Sequence, residues 1–195
     1  KVNADCDAPL LGSRQEQFLD DWSTDWQEGD WMKFLFSQSP FMSLQTLPEG
    51  TFGGHQVGLT IYPEGESAPN DEPAADADSN GWPQSARNRA LRSIKQANAF
   101  HVCGDQHLGS LAQYGIDEYG DGTYVFCTPA IANTWPRRWM PQGKPITGNH
   151  VDGFGNKVTV LAVSNPHISG HKPAALHDRA PGWGLLLCDP ESNSI

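Results

Sequence analysis

Positive charge is scarce in this chain. Only 13 of its 195 residues are Lys or Arg, against 23 Asp or Glu, and the formal net charge is -10 at pH 7. Proteins that bind a nucleic-acid backbone need a basic surface to neutralise its phosphates, so the composition excludes that class of partner. An acidic protein that handles phosphate is expected to do so with metal ions.

Long apolar runs and familiar nucleophile motifs are also lacking. No stretch approaches the roughly 20 apolar residues of a membrane-spanning helix, and no signal peptide is visible. The sequence contains neither the G-x-S-x-G elbow of many esterases nor a P-loop for nucleotide phosphates. A transmembrane segment and these two kinds of site are therefore not expected.

Cysteine is sparse and shows no C-x-x-C spacing. Besides Cys6, the chain has Cys103, Cys127 and Cys188, which lie in the apolar runs FHVCG, YVFCT and LLLCD. A buried free thiol behaves as a small hydrophobe. We therefore predict unpaired cysteines in the core.

Glycine and proline are plentiful, with 20 and 15 residues, and predict short elements joined by long ordered loops. A capping box of Ser13 and Glu16 predicts a helix over 13–27, Pro83 opens a second helix through about residue 97, and 48–81 is expected to be a wrapped loop. Together with the strands these elements predict one α/β domain, or part of one, over 1–195. The predicted strands are MKFLF, ending near Ser37 and Gln38, then VGLTIY, AFHVCG, TYVFCT, KVTVLAV and GWGLLLCD.

The second predicted helix is amphipathic. Arg87 and three other cations fall mainly on the faces away from its apolar stripe. The predicted buried stripe consists of Ala86, Ala90, Leu91, Ile94 and Ala97.

The segment HVCGDQHLGS, residues 101–110, places Asp105 and His107 directly after a predicted strand. Open α/β sheets bind ligands at the carboxyl ends of their strands, and Gly104 lets the backbone turn there. Imidazole and carboxylate oxygen together suit Zn, Fe or Mn. The alternative is structural: Asp105 as a helix cap and His107 as a surface residue.

Two further motifs allow two interpretations each. DADSNG, residues 76–81, begins like a calcium loop, but Arg87 stands where the bidentate Glu belongs, which favours an Asx-turn instead. In WPRRW, Arg137 and Arg138 could bind phosphate oxygens while Trp135 packs against a ring of the substrate. The alternative is a surface loop whose arginines stack on Trp and pair with carboxylates. The remaining loop histidines fit no zinc spacing and are expected at the surface; they are His150, His167, His171 and His177.

Several segments together resemble the alkaline phosphatase D (PhoD-like) branch of the calcineurin-like metallophosphoesterases. The resemblance implies a sandwich of two sheets flanked by helices, with a metal centre at strand ends that activates water against a phosphate ester. The segments occur in that family's order and cover most of the chain: LLGSRQEQFLDDW, MKFLFSQSPF, DSNGWPQSARNRAL, GDQHLGSLAQYG, TPAIANTWPRRWMP and DGFGNKVTVLAVSNP.

The resemblance also implies a set of metal ligands. A late family motif, Gly-[His or Asp]-x-His, falls on Gly104, Asp105 and His107, so His107 is a metal ligand and Asp105 a ligand or its orienting group. Gln38 stands where the family has a His, and its amide coordinates more weakly than imidazole. The cofactor would be a divalent or trivalent ion, Fe, Zn, Mn or Ca.

The family's first motifs, an Asp-rich set and Gly-Asn-His, have no counterpart in residues 1–30. The resemblance therefore implies that the chain is the C-terminal portion of a longer enzyme, whose N-terminal remainder supplies the other ligands. Relatives are often exported, which favours a periplasmic or secreted location.

Residue chemistry suggests roles for a small phosphate ester substrate. Arg137, Arg138 or Arg87 would bind a phosphate oxygen, and Trp82 or Trp135 would line the leaving-group pocket. One rival is a non-catalytic binding or structural module of the same fold with a degenerate metal site. Another is an esterase that uses Ser110 with His107.

Overall fold

The structure is a computed structural model, and it describes residue 6 and residues 8–51, 59–132 and 134–195. It shows a mixed α/β fold with a six-stranded mixed sheet, a two-stranded sheet and few helices. Among the described residues no helix is long and apolar enough to cross a bilayer. The elements are α1 (Ser13–Thr24), β1 (Lys33–Phe36), β2 (Thr46–Pro48), β3 (Asp71–Pro73), α2 (Gln84–Gln96), β4 (Ala99–Cys103), β5 (Gly109–Tyr114), β6 (Tyr124–Cys127), β7 (Gly148–Val151), β8 (Lys157–Ser164) and α3 (Ala174–His177).

The large sheet has the strand order β1-β4-β6-β5-β8-β7. β1, β4 and β6 are parallel neighbours, and the β6-β5, β5-β8 and β8-β7 pairs are antiparallel. The carboxyl ends of the three parallel strands therefore lie at one edge of the sheet. β2 and β3 form a separate antiparallel pair.

Both long helices contribute to a core on one face of the large sheet. The predicted stripe of α2 is confirmed, since all five of its residues are buried. Pro83 is the N-cap of α2 rather than its first residue. Arg87 corrects the expectation for the cations: it is 1% exposed and faces the core, because backbone carbonyls there accept its N–H groups.

α1 begins at Ser13 as predicted but ends at Thr24 instead of residue 27. The side chain of Gln15 accepts a hydrogen bond from the Gly12 N–H, in place of the predicted Ser13 and Glu16 capping box. The buried face of α1 is narrow: Leu19 is 8% exposed, whereas the neighbouring Phe18 is 66% exposed.

The predicted strands that became β1, β4, β6 and β8 are confirmed, and GWGLLLCD is wrong as a strand. Residues 182–188 belong to no strand, and Leu185 and Leu187 are largely exposed. In VGLTIY, residues 57 and 58 lie outside the described residues, and 59–62 are not in a strand. β2, β3, β5 and β7 were not predicted.

All four cysteines are free, as predicted. Cys103 and Cys127 are buried partners on neighbouring strands, whereas Cys188 is exposed because its segment is not a strand. The expectation of a core position therefore holds for two of the three cysteines in apolar runs, Cys103 and Cys127.

The other face of the large sheet is apolar and only partly covered. Its side chains alternate with the core residues along β4, β5 and β6, as the two-residue period requires. A groove of about 590 Å³ on this face is bordered by residues 185–187 and by Ile195. The sheet residues in it are Phe100, Leu111, Tyr124, Phe126 and Leu161.

Candidate functional site

The candidate site lies where β1 and β4 end side by side. Residues 37–39 follow β1, and residues 104–107 follow β4. The Gly104 N–H donates to the Gln38 carbonyl at 2.9 Å, which fixes the two segments against each other. The parallel pairing of β1 and β4 thus brings together two segments 66 residues apart in sequence.

Asp105 is the centre of a tight and strained turn. The Gln106 N–H donates to the Gly104 carbonyl at 2.8 Å, and Asp105 has a φ of 67°. A hydrogen bond across two residues with positive φ at the middle residue is the rare, strained form of the γ-turn. Such strain costs about 1–3 kcal/mol and is enriched at active sites and ligand-binding turns.

His107, two residues on, has a φ of 52° and is half-buried. Two non-glycine residues with positive φ within three positions are uncommon in a protein backbone. The unusual backbone therefore falls on the two residues that the sequence singled out for metal binding.

The Asp105 carboxylate has a definite partner in the other segment. The hydroxyl of Ser39 donates to Oδ2 of Asp105 at 2.7 Å. Ser39 is 6% exposed, and its carbonyl accepts from Nδ2 of Asn80 at 3.0 Å and from Oγ of Ser37 at 2.8 Å. Oδ2 thus lies against a rigid support. Sequence reasoning did not identify Ser39.

Gln38 lies in the same corner through its backbone, and the residue as a whole is exposed. The predicted donors are therefore a carboxylate, an imidazole and an amide. Within the described ranges no three His, Cys, Asp or Glu side chains are grouped closely enough to hold a metal ion. The donor chemistry fits one corner of a metal centre, which needs about four ligands in all.

Arg137 lies beside this corner but is bound to other residues of the chain. Its Nη1 donates to Oε1 of Gln106 at 2.6 Å, and its Nη2 pairs with Asp76. Both side chains of the ion pair are 6% exposed. Two buried N–H groups, Nε of Arg137 and Nε2 of Gln106, have no hydrogen-bond partner in the described part of the chain.

Arg138 is a structural residue by its contacts. Its Nε and Nη2 donate to the two carboxylate oxygens of Asp71, each at 2.7 Å, and its Nη1 donates to the Thr60 carbonyl at 2.7 Å. The two side chains are 2% and 0% exposed. Carboxylate pairing, one of the two interpretations of WPRRW, is thus observed for both arginines, although inside the protein and not in a surface loop.

Arg87 is also directed inward. Its Nε donates to the Phe41 carbonyl at 2.9 Å, and its Nη1 donates to the Gly115 carbonyl at 2.6 Å. Burial lowers the pKa of its guanidinium to about 10, while the nearby Asp152 acts to raise it. These contacts fix Arg87 within the core beneath the helix.

The predicted aromatic residues lie at different levels of exposure. Trp82 is 36% exposed and precedes α2. Trp135 is half-buried and precedes the two paired arginines in the chain. Ser110, the alternative nucleophile, is 5% exposed within β5.

A largely buried Ser–His–Tyr chain runs beneath the site, and no sequence motif predicts it. Nε2 of His101 lies 2.8 Å from Oγ of Ser37, and Nδ1 lies 2.8 Å from the hydroxyl of Tyr114. The Phe41 N–H donates to that hydroxyl at 3.0 Å. A serine, a histidine and a third orienting group at such distances can form an activated nucleophile.

The hydrogen-bond balance and the electrostatics argue against that role. Oγ of Ser37 donates to the Ser39 carbonyl, so it accepts from Nε2–H of His101, whose Nδ1 then accepts from Tyr114. Burial also lowers the pKa of His101 from 6.5 to about 3. A neutral imidazole that donates to Ser37 cannot take its proton.

The other motifs are structural where they are described. The Asp78 N–H donates to Oδ1 of Asp76 at 3.0 Å, which confirms the Asx-turn. His150 corrects the surface expectation: it is 3% exposed and packs edge-on against Trp139, and burial lowers its pKa. The other three loop histidines are exposed, as expected.

Comparison with known proteins identifies no relative. No family model, curated protein or solved structure matches the chain.

Proposed function

We propose that this chain carries the C-terminal part of the site of a metal-dependent phosphoesterase, with the two-sheet sandwich of the PhoD-like metallophosphoesterases. The observation that carries the proposal is the strained turn at the end of β4, which holds Asp105 and His107 in left-handed backbone conformations. Strained backbone of this kind clusters at active sites and ligand-binding turns. Carboxylate and imidazole are the ligand types that Fe, Zn and Mn share.

His107 and Asp105 would hold a metal ion, with Gln38 at the neighbouring strand end. A bound ion of this kind makes hydroxide available near neutral pH and neutralises charge on a phosphoryl group. Arg137 is the arginine best placed to face a phosphate, because Gln106 connects it to the turn. Arg138 and Arg87 serve the fold, and Trp82 or Trp135 would border the leaving group.

The apolar face of the large sheet supports the proposal that further polypeptide completes the domain. Phe36, Tyr124 and Leu161 on this face are 72%, 47% and 43% exposed. Exposed apolar patches of this extent mark interaction surfaces. A second sheet, contributed by an N-terminal remainder together with the missing metal ligands, would cover them.

A second candidate is a non-catalytic binding or structural module of the same fold. Gln38 favours it, because an amide stands where the family has an imidazole. The exposed apolar residues near the C-terminus, Trp183, Leu185 and Leu187, favour it as well.

The test is hydrolysis of aromatic phosphate mono- and diesters by the longest natural polypeptide that contains this chain. Turnover that is lost with a chelator, restored by Zn²⁺ or Mn²⁺, and lost in His107→Ala supports the phosphoesterase. The matched control is His167→Ala, which removes an exposed histidine outside the site and should keep full turnover. Turnover that survives both the chelator and His107→Ala would contradict the proposal. A folded protein that hydrolyses none of the esters even when metal is supplied would favour the binding module.

A further inference from the structure

We infer that Ser39 is the positioning residue for Asp105, and that it fixes this carboxylate before any metal or substrate arrives. The inference rests on the proposed function only in its consequence for metal affinity. The positioning itself follows from the contacts of the two strand-end segments.

Ser39 and Asp105 are joined by a hydrogen bond to a charged group. A hydroxyl that donates to a carboxylate forms a charge-assisted hydrogen bond, which is stronger and more directional than a neutral one. The 2.7 Å bond from Ser39 occupies Oδ2 of Asp105 and leaves Oδ1 as the oxygen for another partner. Ser39 thereby selects which carboxylate oxygen is presented.

Ser39 is itself held in place by other residues. Its carbonyl accepts two hydrogen bonds, from Ser37 and Asn80, and the Asn80 N–H donates to the carbonyl of Pro40 at 2.9 Å. His101 holds Ser37 in turn. A support with so few free torsions can fix its partner at little entropic cost when a ligand binds.

The Asp105 side chain needs such a support to stay in one orientation. Asp105 sits at the tip of a γ-turn whose backbone is strained, and the residue is half-buried. Without the Ser39 bond, rotation about χ1 would let the carboxylate leave the corner that it shares with Gln38. Groups that orient metal-binding carboxylates typically change metal affinity about 10–100-fold when they are removed.

The experiment measures the χ1 rotamer of Asp105 directly, by three-bond couplings from its side-chain carboxyl carbon to the backbone N and C′ in the metal-free protein. We expect a single rotamer in the parent, averaged couplings in Ser39→Ala, and a single rotamer again in Ser39→Thr, which keeps the hydroxyl. Ser43→Ala is the matched control, because it removes a buried hydroxyl that donates to the Ala74 carbonyl away from the site, and it should leave the couplings unchanged. If Ser39→Ala does not fold, Ser39→Cys, a weak donor of similar size, replaces it.

Couplings that are the same in the parent and in Ser39→Ala, or that are already averaged in the parent, would overturn the inference. The second measurement is Mn²⁺ affinity, expected to fall about 10–100-fold in Ser39→Ala and to stay unchanged in Ser43→Ala. Should the rotamer respond as expected while the parent binds no Mn²⁺ at Asp105, the positioning role stands and the proposed function fails.

Discussion

Asp71→Asn tests the assignment of Arg138 as a structural residue. The substitution keeps the shape of the side chain and removes the charge that the guanidinium faces. Arg138 would then be buried without a counterion, and one of its two 2.7 Å hydrogen bonds would meet an amide N–H instead of an oxygen. Removing one partner of a buried ion pair costs about 3–5 kcal/mol.

A protein of this size loses roughly 2–4 °C of Tm for each kcal/mol, so we expect Tm to fall by about 6–20 °C. Chemical denaturation monitored by tryptophan fluorescence measures the change in unfolding free energy. Asp117→Asn is the matched control: its partner Arg92 is 52% exposed and Asp117 is 70% exposed, so the loss should stay below about 1 kcal/mol. The double replacement Asp71→Leu with Arg138→Met should recover most of the stability. Equal small losses for Asp71→Asn and Asp117→Asn would refute the structural assignment.

Three further predictions concern other parts of the molecule. Folding lowers the pKa of His101 from 6.5 to about 3, so between these pH values the unfolded chain binds a proton that the folded chain does not. From pH 7.5 to pH 5 the free energy of unfolding should therefore drop by about 2 kcal/mol more in the parent than in His101→Gln. Equal drops in the two proteins would contradict this prediction. Gly153→Ala should cost about 3 kcal/mol, since its Cβ would lie 2.0 Å from the backbone of Ala74, whereas Gly12→Ala, whose nearest contact is 3.6 Å, should cost under 1 kcal/mol in the same denaturation assay. Leu187→Asp should reduce binding of an apolar dye to the groove, with under about 0.5 kcal/mol change in stability. Ile131 is similarly exposed but lies outside the groove, so Ile131→Asp should leave dye binding unchanged. The reverse pattern would show that the groove is not the dye site.

Local pattern was sufficient for the strand end at the candidate site. The apolar run AFHVCG predicts β4, and the Gly, Asp and His that follow it must then lie at its carboxyl end. The same reasoning located α2, because its apolar stripe recurs at helical spacing. These features depend on residues within a few positions of one another.

Contacts between distant segments could not be predicted in this way. Ser39 and Asp105 are 66 positions apart, and Asp71 and Arg138 are 67 positions apart. No periodicity signals such a pair, so the sequence predicts neither the Ser39 hydroxyl beside Asp105 nor Asp71 as the carboxylate partner of Arg138. Arg87 was misplaced for the same reason, since its acceptors at Phe41 and Gly115 come from other segments.

An apolar run alone also does not show whether a segment forms a strand, because the neighbouring strands that would pair with it are not known from the sequence. KVTVLAV and GWGLLLCD look alike as candidate strands, yet only the first pairs with neighbours on both sides, as β8 does with β5 and β7. The second run belongs to no strand: residues 185–187 border the groove on the apolar face, and Asp189 forms an isolated bridge with Ser194. A strand is defined by its hydrogen-bonded neighbours, and a single sequence does not name them.

Mn²⁺ titration followed by amide NMR would show directly whether the strand-end corner holds a metal. Paramagnetic broadening should appear first at residues 38–39 and 104–108, and it should disappear from those signals in His107→Ala while persisting in His167→Ala. Broadening that begins elsewhere, or that is unchanged by His107→Ala, would contradict a metal site at the end of β4.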